Sequence, residues 1–302
     1  MNIKRFLKNP VRVTIRSLSQ RGKLDFVSDK LFLKLVYRSK FGRKLNLDNP
    51  VLFNEKLQWL KLYNRNPKFT SMVDKYEVKQ YVAKIVGDEY IIPTLGVWDS
   101  FEEINFEQLP EQFVLKCTHD SGGVIICDDK SKFDIVKSKE KIDYHMKRNY
   151  FYVGREWPYK NVKPRIIAEA FLKDDTISKG ENIKDYKVYC FDGVAKLMQI
   201  GTNCGTGIDE VLDFVDKDFN WIDMTWGKPH SKTAPDRPDN FEEIIALAEK
   251  LSKGLVHIRV DLFSVCGKIY FGEYTFFDGS GFDEICPIEM DKKLGSWLNL
   301  NK

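Results

Sequence analysis

His257-Ile258-Arg259-Val260-Asp261-Leu262-Phe263 is followed, after a Cys266-Gly267 turn, by Lys268-Ile269-Tyr270-Phe271-Gly272-Glu273-Tyr274-Thr275-Phe276. Two runs of alternating β-formers around a tight turn read as a hairpin. Period-two alternation puts Arg259 with Asp261 on one face and Glu273 with Thr275 on one face. If the strands pair so that these faces coincide, two carboxylates, a guanidinium and a hydroxyl meet on one side of a sheet. That set offers hard oxygen ligands for a divalent metal and a fork for a phosphate. The same residues also read as a salt-bridged solvent face.

Working back from this hairpin, Asp185 to Phe191 and Val194 to Ile200 flank an Asp192-Gly193 turn, the strongest short hairpin signal in the chain. Alternation places Asp185, Lys187 and Tyr189 together. Val211 to Val215 reads as a further strand, Arg165 to Leu172 as a strand entering a polar loop, and Phe113 to Cys117 as a strand carrying Lys116. Thr118-His119-Asp120-Ser121-Gly122-Gly123 then joins that strand to Val124-Ile125-Ile126-Cys127. Backbone NH groups in such a glycine-tipped loop can cradle phosphate oxygens, although Gly-Gly tips are also ordinary turns.

The first third reads as helical. Ser28 or Asp29 caps one helix, Asn54 a second through Tyr63, and a third is expected from Met72 to Ile85. Ser100 and Glu103 have capping-box spacing, Lys132 to Asn149 reads as a helix, Asp239 caps another, and Asp291 to Leu298 a last. This order predicts an α+β fold with largely antiparallel sheets. The expected organisation is a basic helical segment over 1–50, a helical region over 51–110, a lobe with the Gly-rich loop over 111–172, and a lobe with the acidic hairpin over 173–302.

Composition sets the outer limits. The 302 residues are 43% hydrophobic and 30% charged, ordinary for a soluble globular chain. The net charge of +4 conceals an asymmetry: thirteen Lys and Arg against three Asp in residues 1–50 leave a balance of +10 there and near −6 elsewhere. An anionic partner is expected for that end only. Its basic residues are interleaved with apolar ones but not with a nucleic-acid reader motif, so nucleic acid is not an expected partner. No apolar run reaches the roughly 20 residues that span a bilayer, and no leader pattern is visible, so a cytoplasmic protein is expected. The basic end can be a solvated arm or can sit on an anionic leaflet at the inner face of the membrane. Six dispersed cysteines lack metal-ligand spacing and are expected to be buried, reduced thiols.

Several segments taken jointly resemble the TupA-like ATP-grasp family, found among capsule and surface-polysaccharide genes. They are Asn54-Glu55-Lys56-Leu57-Gln58-Trp59-Leu60-Lys61-Leu62-Tyr63, Val73-Asp74-Lys75-Tyr76, Ile92-Pro93-Thr94-Leu95-Gly96-Val97-Trp98, and Glu273-Tyr274-Thr275-Phe276-Phe277-Asp278-Gly279-Ser280-Gly281. The resemblance covers roughly residues 30–300. It implies an ATP-grasp fold with two α+β lobes, and ATP and Mg2+ as cofactors. Lys116 looks like the strand lysine on the α- and β-phosphates, with His119, Ser121, Gly122 and Gly123 in the loop closing over them. Glu169, Ala170 and Leu172 are similar to the segment that meets adenine and ribose. Lys187 resembles a second phosphate contact, and Arg259 one that neutralises the transferred γ-phosphate. Asp261 and Glu273 look like the magnesium carboxylates; Thr275 stands where many ATP-grasp enzymes carry Asn, and its hydroxyl can still bind the metal or its water.

The activity the resemblance implies is carboxylate-amine ligation through an acyl phosphate, joining an amino acid or other amine to a uronic acid of a capsular or cell-wall glycan or lipid-linked precursor. Phosphotransfer to a sugar hydroxyl, glycosyl transfer from a nucleotide sugar and a non-catalytic assembly module stay open as other readings. Asp74 and Lys75 read as an ion pair within a helix or between lobes, Trp59 and Trp98 as core anchors. The Asp278-Gly279-Ser280-Gly281 loop reads as an acceptor site or simply a turn.

Overall fold

The computed structural model describes residues 14–15, 17–19, 22–174, 183–202 and 210–300. Most of the basic stretch read over residues 1–23, part of the polar loop after Leu172, and Cys204 lie outside the described residues. Helices α1 (Asp29–Phe41), α2 (Phe53–Tyr63), α3 (Lys68–Val73) and α4 (Glu77–Val86) come first, followed by strands β1 (Thr94–Trp98), β2 (Phe113–Cys117) and β3 (Val124–Cys127). Then come α5 (Ile135–Met146), α6 (Phe151–Gly154), β4 (Ile166–Ala170), β5 (Asp185–Phe191), β6 (Val194–Thr202), β7 (Val211–Val215), β8 (Trp221–Ile222) and β9 (Thr225–Trp226). Helix α7 (Phe241–Ser252), β10 (His257–Val265), β11 (Lys268–Thr275), β12 (Ile285–Cys286) and α8 (Ile288–Trp297) complete the described chain. No described helix is long and apolar enough to cross a membrane.

Two main sheets form, with strand orders β1-β4-β2-β3 and β11-β10-β5-β6-β7-β8, and the short β12-β9 pair stands apart. Every pairing in them is antiparallel, as the α+β reading expects. The small sheet packs Phe113, Leu115, Ile166 and Ala168 against Ile142 of α5 and Phe101. The large sheet packs Val188, Leu197, Val260 and Tyr274 against Ile244, Leu247 and Leu251 of α7 and Val78 and Val82 of α4. A third cluster joins Phe32, Leu33, Val36 and Tyr37 of α1 to Leu45, Leu47 and Phe282.

The hairpin turns explain the register. Asp192 and Gly193 have φ of 51° and 78°, and Cys266 and Gly267 have 49° and 77°, so both central residues of each turn are left-handed, as the primed hairpin turns require. In β10-β11 the two-residue turn starts the pairing Val265–Lys268, and it runs regularly to Leu262–Phe271. Continued unchanged, it would set Glu273 opposite Val260, whose side chain is in the core. A bulge at Gly272 intervenes, and the pairs become Asp261–Glu273, Val260–Tyr274 and Arg259–Thr275. Ile269 and Phe271 are buried before the bulge, and Tyr274 after it. The four polar residues therefore share a face because of one inserted residue, which the alternation pattern did not contain. A Cβ at Gly272 would lie 3.0 Å from the Phe263 ring and 3.1 Å from the Asp261 carbonyl oxygen, which leaves the backbone little room for any other residue.

Other expectations need correction. The helix expected from Met72 to Ile85 is broken into α3 and α4, because the Asp74 carboxylate accepts hydrogen bonds from the Tyr76 and Glu77 backbone NH groups (2.8 and 3.2 Å) and restarts the helix there. Asn54 is inside α2 rather than at its cap. Glu55 instead accepts from the Val51 and Leu52 NH groups, while the Asn54 amide donates to the Asp283 carbonyl (3.0 Å). Asp239 does not cap α7; Asn240 precedes it and donates to Ser264 Oγ (2.9 Å). Among the described cysteines, Cys117, Cys127 and Cys190 are buried as expected, but Cys266 is exposed on its turn and Cys286 on the edge strand β12.

Candidate functional site

The face built by β10, β11 and β5 is the centre of the site. Arg259 is nearly buried, and its Nε and Nη2 donate to the two oxygens of Asp261 at 2.7 Å each, a bidentate fork. Nη2 also donates to Thr275 Oγ1 (3.0 Å), and Nη1 to Asp278. Burial works against the Arg259 charge, but Asp261 and Asp278 outweigh it and raise its pKa well above the ordinary value. β5 pairs Lys187 opposite Asp261 and Tyr189 opposite Arg259. Lys187 Nζ lies 3.3 Å from Asp261 and also pairs with Asp185. The Tyr189 hydroxyl is 2.8 Å from both Gln199 Oε1 and Asp278 Oδ2, which ties the loop after β11 to the sheet.

The small sheet supplies the opposing wall. Lys116 on β2 meets Glu169 on β4 at 2.5 Å, and Lys79 of α4 pairs with the same carboxylate while donating to the Ile92 carbonyl (2.6 Å). Burial raises the Glu169 pKa, but the two lysines more than offset this and leave it lowered. The Gly-rich loop is fastened from behind. Asp120 is buried, accepts from the Ser121 NH (2.6 Å), contacts His145 and lies 3.7 Å from Arg148. A Cβ on Gly123 would come within 3.0 Å of Cys117 Cβ, so the loop folds tightly onto its own strand.

Lys75 joins the two walls. Its ammonium donates to the Asp120 carbonyl in the loop (3.0 Å) and lies 3.4 Å from Glu273 on β11. The alternation pattern could not find it, because a helix through Met72–Ile85 hides the turn at Asp74–Tyr76 that aims it into the cleft. It does not pair with Asp74, which binds Arg165 instead (2.7 Å). The protein packed around Glu273 opposes its ionisation, yet Lys75 and Arg259 hold its pKa down to about 2.

The expected site residues thus fall into three groups. Lys187, Arg259, Asp261, Glu273 and Thr275 converge on one face, and Ser121 lines the same cavity as Arg259, Glu273 and Thr275. Lys116 and Glu169 face each other on the small sheet, with Gly122 and Gly123 at its loop and Ala170 and Leu172 at the end of β4, where the Ala170 NH donates to the Pro93 carbonyl (2.9 Å). His119 is not brought to the others. It is 2% exposed, its Nε2 lies 3.2 Å from the His145 carbonyl oxygen, and burial lowers its pKa.

Beside Asp261 and Glu273 opens a cavity of about 330 Å³, lined by Arg259, Glu273, Thr275 and Asp278 on one side and by Glu156, Tyr159, Tyr150, Phe32 and Val36 on others. Burial raises the Glu156 pKa and lowers that of Lys61, a fully buried lysine. Lys61 is fixed by the Gly154 and Ser280 carbonyls (2.7 and 2.8 Å), Ser280 Oγ (2.9 Å) and the Phe282 ring (4.6 Å). Glu156 escaped the sequence reading because an isolated acid before Trp157-Pro158 carries no spacing signal. Among the described residues no three His, Cys, Asp or Glu cluster as a ready-made metal cage. Asp261, Glu273 and Thr275 nevertheless form an all-oxygen set on one face, the donor type that suits Mg2+ completed by phosphate oxygens and water.

The family described as TupA-like ATPgrasp matches residues 55–299. No curated protein matches the chain. Among solved structures it is similar to the D-alanine–D-alanine ligase from Bacillus anthracis complexed with ATP (16% identity, 68% of this chain and 53% of that one, TM-score 0.40). It is likewise similar to the D-alanine–D-alanine ligase from Helicobacter pylori (16% identity, 82% and 69%, TM-score 0.40). A RimK domain ATP-grasp protein from Sphaerobacter thermophilus is also similar (11% identity, 78% and 70%, TM-score 0.42). The chain thus spans about half the length of the Bacillus anthracis ligase.

Proposed function

Because the chain belongs to the TupA-like ATP-grasp family, we propose that it is an ATP- and Mg2+-dependent carboxylate-amine ligase. The observation that carries this reading is the reach of Lys75 from the Gly-rich loop to Glu273, which sets a phosphate cradle and an acidic pair on two sides of one cleft. Lys116, Lys75 and Lys187 receive the triphosphate, and the loop at Ser121, Gly122 and Gly123 covers it with backbone NH groups. Asp261, Glu273 and Thr275 hold Mg2+, which when bound neutralises charge shared between phosphate oxygens. Arg259, whose Nε and Nη2 are engaged by Asp261 and whose Nη1 is engaged by Asp278, stands beside the transferred γ-phosphate as a fixed positive charge rather than as a free fork.

The acid is phosphorylated to an acyl phosphate, and the amine attacks its carbonyl carbon from the adjoining cavity, expelling phosphate. No protein nucleophile is required. Glu156, whose pKa burial raises to about 6, and Asp278 line the cavity from which the amine arrives, and the Glu156 carboxylate can take the proton that the ammonium gives up. The substrates in this reading are an amino acid or other amine and a uronic acid of a capsular or cell-wall glycan or lipid-linked precursor, handled in the cytoplasm or at the inner face of the membrane.

The test is phosphate release from ATP, screened over amino acids in the presence of uronic-acid glycans, with the product weighed by mass spectrometry. An amide with one phosphate released per bond is expected. Phosphate retained on the sugar would replace ligation with a kinase reaction, and sugar-nucleotide turnover indifferent to ATP would replace it with glycosyl transfer.

A further inference from the structure

The inner side of α1 (Asp29–Phe41) is buried through Phe32, Leu33, Val36 and Tyr37. At 3.6 residues per turn Lys30, Lys34, Arg38, Leu31 and Leu35 fall on one continuous arc of the opposite side, and all five are exposed. Leu31 is 51% exposed, Leu35 49%, and Phe26, just ahead of the helix, 87%. Single exposed apolar residues are ordinary, but two leucines one turn apart beside three cations are a patterned surface. No carboxylate shares the arc. Asp29 turns the other way, 2.9 Å from Arg65 and 3.7 Å from Arg155, and Asp25 is the only other acid from Gly22 to Arg43.

We propose that this face of α1 docks on an anionic membrane leaflet, with Phe26, Leu31 and Leu35 in the headgroup boundary and Lys30, Lys34 and Arg38 against lipid phosphates. Charge favours a membrane over a second copy of the chain: a two-fold interface on this arc would set the three cations against themselves. The inference is independent of the nucleotide chemistry and uses residues separate from the basic stretch before Lys23. Its consequence for the site follows from the other side of the same helix. Phe32 and Val36 line the cavity beside Arg259, so docking α1 would hold that cavity one helix diameter, about 10 Å, from the bilayer surface.

Co-sedimentation of the full chain with vesicles tests this, without nucleotide. The chain should pellet with phosphatidylcholine-phosphatidylglycerol vesicles, far less with pure phosphatidylcholine, and be released by high salt. Lys30→Glu/Lys34→Glu/Arg38→Glu should lower the affinity at least ~10-fold, and Leu31→Ser/Leu35→Ser should lower it at unchanged charge, with both variants keeping the parent's circular-dichroism spectrum and cooperative thermal unfolding. In an otherwise unaltered surface, Leu35→Trp should add a fluorescence component that shifts to the blue on mixing with anionic vesicles. Vesicle binding unaffected by the α1 substitutions but lost on Lys4→Glu/Arg5→Glu/Lys8→Glu overturns the proposal in favour of the preceding stretch. A dimer that the leucine substitutions dissociate, with no binding to either vesicle, overturns it in favour of a second copy.

Discussion

The two walls of the cleft hold opposite charges together by opposite designs. On the small sheet one buried carboxylate, Glu169, gathers two lysines, Lys79 and Lys116. On the large sheet one buried guanidinium, Arg259, gathers Asp261, Asp278 and Thr275. The difference lies in what each hub can release. Of the lysines at Glu169, Lys116 is a flexible stem that can turn toward an arriving phosphate while Lys79, held by the Ile92 carbonyl, keeps the buried carboxylate paired. The carboxylates at Arg259 are fixed on strands and a loop, so the arginine must stay and they must stay with it. The small sheet supplies movable charge, and the large sheet a rigid frame.

Removing each hub breaks or sharpens this contrast. Arg259→Met strands Asp261 and Asp278 in a nearly buried site and should cost ~3–5 kcal/mol of stability together with turnover. Glu169→Gln keeps a hydrogen-bonding amide between Lys79, still held by the Ile92 carbonyl, and Lys116, and should cost only ~1–3 kcal/mol. Urea denaturation of the two variants decides, and equal losses would erase the distinction. Next in size, Glu273→Gln should lower turnover at least ~10²-fold while the variant still unfolds in one cooperative transition, at a midpoint lowered by the lost pairing with Lys75 and Arg259. Full activity would remove it from the metal pair.

Smaller effects probe the movable side. Lys116→Ala and Lys75→Ala should each weaken ATP binding by ~10–100-fold, the worth of one charge-assisted contact, as read by titration calorimetry. Unchanged affinity in either would displace that lysine from the phosphates. The smallest effect is in acid. Glu273 is held from an ordinary 4.5 down to about 2, so its stabilisation is complete above the ordinary value and is lost as pH falls toward 2. Urea midpoints followed through that window should decline, and Glu273→Gln should flatten the decline; an unchanged slope would show that Lys75 and Arg259 do not hold this carboxyl.

The sequence made the longer strands, both primed turns and the two polar pairs Arg259–Asp261 and Glu273–Thr275 legible, because period-two alternation and Asp-Gly or Cys-Gly pairs are local signals, but not the bulge that sets the two pairs on one face. It missed what depends on interruptions of a period. Asp74 restarts a helix in the middle of a continuous helical pattern, and only that break aims Lys75 into the cleft. Glu156 becomes a site residue through distant packing against Lys61, and Asp278, legible as part of an acceptor loop, gains Tyr189 and Arg259 as partners; no spacing along the chain records such contacts. His119 was drawn into the loop by adjacency, whereas its ring turns under it toward α5.

The bulge at Gly272 gives β11 two frames, one before it and one after. Every residue from Glu273 onward takes its side of the sheet from that single step in the count. A one-residue deletion between Phe271 and Glu273 would leave composition and charge almost untouched, yet exchange the roles of the following positions. Tyr274 would then face the cleft, and Glu273 and Thr275 the core. For the end of this strand, length is therefore constrained alongside identity, and insertions or deletions there should be tolerated only in pairs.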